Sequence, residues 1–175
     1  MKTDKGMSVF KNFEQFKKNL FLSLYTWTKI PLIGFCSPRV IESTDQKTVL
    51  KIALNFRTKN HLGAMYFGAL AIGSELCIAM LAVQKIKESG MKIDFLFKDY
   101  KAHFLKRAEG DVYFICEEAA QVVAQIQEAS QSSERIHRTM TAYAVVPSVH
   151  PTEKVATFEL TLSVKNRSRP VEPKD

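Results

Sequence analysis

The sequence predicts an α+β fold, an antiparallel sheet built around one long helix, from three observations. Strand-like runs follow one another along the chain instead of alternating with helices, and consecutive strands favour antiparallel neighbours over a doubly wound parallel sheet. The segment 65–88 is apolar on every side, as a helix enclosed by its own protein is. The segment 154–165 alternates cleanly, with Ala156, Phe158, Leu160, Leu162 and Val164 against Thr157, Glu159, Thr161 and Ser163. One face of that strand is expected to be buried and the other wet.

The elements follow in order. Phe10, Phe13, Phe16, Leu20, Phe21, Leu24 and Trp27 recur at helical spacing among Lys11, Lys17 and Lys18, so residues 1–30 form an amphipathic helix, ended by Pro31. Such a basic, Phe-rich stripe suits a membrane surface or the helix's own domain, and the second is expected here. Residues 48–56 are rich in β-formers, and 39–44 supplies a hairpin partner. Gly90 closes the apolar helix. Residues 91–107 read as a long strand, with Met91, Ile93, Phe95 and Phe97 alternating against Lys92, Asp94 and Lys98. The turn 108–111 returns the chain into a strand at 112–117. Residues 117–131 carry Ala119, Val122, Val123, Ile126 and Ala129 on one side of a second amphipathic helix, and strands at 135–146 and 154–165 complete the domain. The expected organisation is an N-terminal helix (1–30) packed on a single domain (31–166), with a flexible tail (167–175).

The 175 residues suffice for one domain with a core. The net charge of +7 is concentrated at the ends: six basic against two acidic residues in 1–30, four against two in 165–175, and 15 against 14 between. Those ends read as solvated termini, no nucleic-acid motif accompanies them, and neither nucleic acid nor a membrane is expected as a partner. Cys36, Cys77 and Cys116 are odd in number and set among apolar residues, which fits reduced thiols in a cytoplasmic protein. The histidines show no metal-ligand spacing, and no metal is expected.

One acid, Glu75, interrupts the apolar helix. A transmembrane span is long enough on paper, but a central carboxylate costs roughly 2.5–3.5 kcal/mol there, and the amphipathic strands need a partner for their apolar faces. The helix is therefore a core element. Its carboxylate either reaches a structural donor or faces a ligand cavity; with no local cation in the sequence, the second reading makes it a functional candidate. Ala64, Gly68, Ala71, Glu75, Ala79 and Ala82 share one stripe, small enough for close approach of a strand, a helix or a thin ligand.

These features resemble the hotdog fold, and within it the phenylacetyl-CoA type of acyl-CoA thioesterase. That family's signature is Asn-x-x-Gly-x-x-His-Gly-Gly, with an Asp or Glu nine residues after the His. Asn60 and Gly63 match, Tyr66 stands at the His, Phe67 at the first Gly, Gly68 matches the second, and Glu75 lies nine residues beyond Tyr66. The stretch 103–116 is similar to the family's strands around a basic end and a Gly-Asp turn. The resemblance implies thioester hydrolysis of an acyl- or aryl-CoA, or else an acyl-CoA or fatty-acid binding module without turnover. Glu75 would be base or nucleophile, the Phe67 backbone N–H the oxyanion donor, and Asn60 would orient water or the acyl group. Tyr66 would substitute for the His through its hydroxyl. Lys106 and Arg107 are candidates for the CoA phosphates, and Phe67, Phe95, Phe97, Tyr100 and Phe104 for an acyl pocket. No separate cofactor is implied, since CoA enters with the substrate; a homodimer or a dimer of dimers is, since such sites lie between two chains.

Overall fold

An antiparallel sheet of six strands wraps a helix of 23 residues in the computed structural model, which describes the backbone of residues 3–168 and the side chains of 13–168. The chain runs through α1 (Thr3–Lys29), α2 (Pro31–Cys36), β1 (Arg39–Ser43), β2 (Thr48–Ile52), α3 (Phe67–Ser89), β3 (Ile93–Phe104), β4 (Val112–Cys116), α4 (Ala119–Gln131), β5 (Arg135–Val146) and β6 (His150–Asn166). The expected α+β arrangement around a central helix is the one observed.

α3 is held by burial on most of its circumference. Cys77, Ile78, Leu81 and Ala82 are fully buried or nearly so, and the helix packs on α4, β2, β4 and β5. Burying side chains such as Ile78 and Leu81 contributes roughly 1.5–3 kcal/mol each. Length and composition would also suit a membrane crossing, but here the sheet supplies the apolar surroundings. Gly90, at φ 66°, ends the helix in the left-handed conformation. Gly73 sets how closely helix and sheet approach. A Cβ built there would lie 2.3 Å from the ring of Phe114, a fully buried side chain of β4.

The strand order β1-β2-β4-β5-β6-β3 corrects one expectation. The turn at 108–111 does not fold β4 back on β3. β3 pairs with β6 at the far edge, while β4 lies between β2 and β5. The segment is a crossover: Asp111 Oδ1 accepts from Leu54 N–H at 3.0 Å and its other oxygen meets Lys51 Nζ at 2.6 Å, tying the start of β4 to the end of β2. The simple alternation expected for 91–107 also fails midway. Phe95 and Phe97 oppose Val164 and Leu162, but a bulge follows, and Tyr100, Ala102 and Phe104 oppose Leu160, Phe158 and Ala156. One extra residue switches the inward set from odd to even positions. In β6 the supposedly wet Thr161 and Ser163 are buried, and hydrogen bonds with Thr139 and Arg135 satisfy their hydroxyls.

The N-terminal helix departs furthest from expectation. Phe13, Phe16, Leu20, Phe21 and Leu24 do not pack into the domain and are exposed, and Trp27 is half exposed with one face of its ring over Gly34 of α2 (Phe10 lies outside the described side chains). α1 docks instead through its polar side. Asn19 accepts from Val40 N–H at 2.7 Å and donates to Val40 C=O at 3.1 Å, Gln15 donates to the same carbonyl, and Lys18 reaches Ser43 C=O at 2.9 Å. The free edge of β1 needs hydrogen-bond partners more than apolar cover, and α1 provides them. Leu22 and Thr26 are buried beneath the helix.

Gly73→Ala is expected to destabilise the fold by about 1–3 kcal/mol, the usual cost of overpacking. Denaturant unfolding of Gly73→Ala, Phe114→Leu and the double variant checks this. The double variant should be more stable than the sum of the single effects, because Leu vacates the space the new methyl needs.

Candidate active site

Glu75 is half-buried two turns into α3, on the side of the helix that faces β3 instead of the centre of the sheet. Its carboxylate opens into a cavity of about 640 Å³. Ala71 and Ile72 of α3 form the floor, Phe95, Phe97 and Tyr100 of β3 one wall, and Tyr25 and Ile30 from the end of α1 the other. The bulge in β3 is what turns Tyr100 towards this space. Tyr100 and Ser74 hydroxyls lie 3.3 Å apart, beside the acid.

No cation or hydrogen-bond donor among the described residues engages the Glu75 carboxylate. Burial alone raises its pKa above the ordinary 4.5. Tyr100 is raised as well, by burial first, with its Ser74 bond opposing and the Glu75 charge adding to the effect. A carboxylate partly withdrawn from water and without a partner among the described residues, set in an apolar cavity, accepts a proton more readily than a surface acid. Chemically the arrangement provides a base of increased strength next to space for an apolar group.

The other residues of the Asn-to-Glu signature are not in this cavity. Asn60 is engaged locally: its side-chain oxygen accepts from the N–H groups of Leu62 and Ala64 at 2.9 and 3.2 Å, and Gly63 takes φ 81° to complete the turn. That satisfies Asn60 as a turn residue and leaves its oxygen no free role on water or an acyl group. Tyr66 caps the start of α3 with extended backbone, and its ring lies over Gly68, where a Cβ would meet it at 2.5 Å. The close approach expected at Gly68 is therefore made by Tyr66 itself. Phe67, exposed, packs its ring on Tyr66 at 4.8 Å, and its backbone N–H donates to no partner among the described residues. Phe67 stands eight residues before Glu75, about 12 Å along the helix axis. Of the five aromatics expected in an acyl pocket, Phe95, Phe97 and Tyr100 line the cavity, while Phe104 packs edge-on against Phe158. Lys106 is paired with Glu153 at 2.6 Å, and Arg107 is exposed without an ion pair among the described residues; neither lines the cavity.

Tyr25 and Ile30 are cavity residues that the sequence reading missed. Tyr25 is an aromatic with a polar tip on the flank of α1 away from the Phe13–Trp27 stripe, and that displacement was the available signal. The thiols of Cys36, Cys77 and Cys116 are buried and unpaired, and Cys116 is pushed up to about 11 by burial, so none is a nucleophile of this site. Among the described residues no cluster of His, Cys, Asp and Glu could hold a metal ion.

A carboxyl whose pKa is higher folded than unfolded binds its proton more tightly in the native state. Stability from Glu75 is therefore present below about pH 4.5 and is lost as pH rises towards its folded value. Glu75→Gln is expected to melt at a temperature equal to or above wild type at pH 7, with the difference shrinking as pH falls to 4.5. Thermal melts across that range check it, and a variant less stable at neutral pH would mean that the carboxylate has a structural partner.

Solved structures share this architecture at low identity. A Chlorobaculum tepidum protein of unknown function superposes with a TM-score of 0.72 at 11% identity, over 86% of this chain and 96% of that one. A Shewanella oneidensis protein proposed to be a thioesterase gives 0.69 at 12%, over 84% and 96%. A thioesterase from Haemophilus influenzae gives 0.59 at 12%, over 82% and 88%. These likenesses establish the hotdog fold. Comparison with curated proteins produced no match. Residues 18–164, most of the chain and all of the sheet and central helix except the final residues of β6, match the family described as a domain of unknown function, DUF4442, and the chain belongs to that family.

Proposed function

We propose that this protein hydrolyses the thioester of an acyl- or aryl-CoA, with Glu75 as the catalytic carboxylate. The observation that carries the reading is the unpaired Glu75 on the wall of an apolar cavity. Glu75 takes a proton from water as the water oxygen attacks the thioester carbonyl; the C–S bond then breaks and the CoA thiolate recovers that proton, leaving a free acid. The alternative course, direct attack by Glu75 to form an anhydride with loss of the CoA thiolate, leaves isotope from labelled water in the Glu75 side chain after one turnover when water opens the anhydride at the Glu75 carbonyl. The thioesterase among the fold neighbours supports this class of reaction by its name.

An oxyanion donor is needed as well, and the free N–H of Phe67 at the positive end of α3 suits it. The separation of about 12 Å from Glu75 in one chain is too long for both to serve one thioester. A second copy resolves this. β3 is a 12-residue edge strand beside the cavity, with Leu96, Tyr100 and Phe104 half exposed. Pairing through it covers those side chains and brings the partner's α3 to the same cavity. The working unit is then a homodimer, alone or doubled into a tetramer, in the reducing cytoplasm that suits three free thiols. Arg107 remains available for the CoA phosphates at the rim, whereas Lys106 must first leave Glu153.

Release of free thiol from short, medium, long and aromatic acyl-CoAs tests the proposal. Wild type should turn over part of the panel, and Glu75→Gln should lose about 10²–10⁴ in rate, the usual contribution of a positioned base. Retained binding with no turnover would assign the acyl-CoA binding module instead. Tyr25→Ala enlarges the cavity on the α1 side, and the kcat/KM preference should move towards longer acyl chains by about tenfold or more; an unchanged profile would place the acyl chain elsewhere.

A further inference from the structure

α1 turns the wrong side outwards for a helix of a soluble domain. Gln15, Lys18 and Asn19 bond to β1 while Phe13, Phe16, Leu20, Leu24 and Trp27, spaced by three and four residues, form one stripe on the opposite side, each 48–62% exposed. The stripe runs about 21 Å along the helix. An apolar strip of that length on a single element is far larger than the scattered exposed leucines of an ordinary surface. The expectation that no membrane is contacted rested in part on this stripe packing on the domain, and most of it is exposed.

Charge identifies the occupant. Residues 1–30 contain six lysines against Asp4 and Glu14. Beside the stripe, a groove between α1 and α3 has apolar walls from Phe21, Leu22, Leu76 and Met80, no carboxylate in its lining, and a rim of Lys87 with Lys17 and Lys18, the first of these two also paired with Glu14 at 3.1 Å and the second bonded to Ser43 C=O. A second copy stacked through the same stripe would bring two basic segments together. An anionic surface meets the apolar stripe and the lysines at once. We propose that α1 docks this protein peripherally on an anionic lipid bilayer, the Phe/Leu/Trp stripe entering the interface and the lysines meeting the headgroups. The stripe lies on the side of α1 away from Tyr25, which walls the Glu75 cavity, and neither reading depends on the other.

Trp27 is the only tryptophan of the chain, so its emission reports on the stripe directly. The full chain is mixed with phosphatidylcholine vesicles, with and without phosphatidylglycerol, and followed by Trp27 fluorescence and flotation. Binding to the anionic vesicles should exceed that to neutral ones by about tenfold or more, weaken with salt, and shift Trp27 emission to the blue. Leu20→Glu/Leu24→Glu, at exposed positions, should abolish both signals with an unchanged melting temperature. Absence of flotation and shift on anionic vesicles overturns the proposal, as does equal capture of wild type and variant. If vesicles are ignored and the double variant instead lowers the sedimenting mass, the stripe belongs to an interface between copies.

Discussion

The fold depends on the need to enclose a helix that has no polar side. An amphipathic helix is satisfied by one sheet face, but α3 presents apolar groups all round, so the sheet must curl and a further helix must close over it. β2, β4 and β5 take one side of α3 and α4 takes another. Gly73 is where this enclosure is tightest, since the ring of Phe114 occupies the place of a side chain. The wrapping is incomplete towards β3, and there the helix carries its acid. Glu75 and the open arc of the sheet are thus two parts of one arrangement: the carboxylate sits where enclosure stops.

The same geometry accounts for the electrostatics of the site. A carboxylate in the closed part of the core would need a cation, and at the surface it would be solvated and ordinary. At the mouth of an apolar cavity it is half withdrawn from water, and among the described residues no partner offsets the rise that burial gives its pKa. The bulge in β3 adds to this by keeping Tyr100 on the inner face after Phe97, so that its hydroxyl reaches Ser74. Asp99, within the bulge, accepts from Thr161 N–H at 3.2 Å and compensates for the interrupted ladder. An irregularity in a strand and the chemistry of a helix are linked through one tyrosine.

Much of this was legible in the residues, because the strongest sequence signals are those that depend on a single element. The central helix, its end at Gly90, the limits of β5 and the inward set of β6 all follow from periodicity and turn chemistry. Glu75 stood out for the same reason, as one acid in an apolar run. What escaped depends on pairs of elements. The 108–111 turn has hairpin chemistry, yet strand order is decided by which faces can be buried together, and β4 belongs between β2 and β5. The N-terminal stripe has the spacing of a buried face, but the open edge of β1 rewarded hydrogen bonds from Asn19 and Gln15 more than apolar contact. Asn60 and Tyr66 stand at the spacing of a catalytic signature and are occupied by a turn and a helix start. Spacing identifies where a residue stands in the chain, not what its side chain is free to do.

The proposed site joins Glu75 of one copy to the Phe67 N–H of another. Phe67 is the first helical residue and Tyr66 before it is extended, so proline at 67 removes that N–H with little disturbance of α3. The decisive measurement is acyl-CoA hydrolysis by Glu75→Gln, by Phe67→Pro, and by the two exchanged into hybrid dimers. Each variant alone should be nearly inactive, and equal mixing should restore roughly a quarter of the wild-type rate, since half the dimers are hybrids with one intact site of two. Hybrids that form and recover nothing would contradict a site shared between chains.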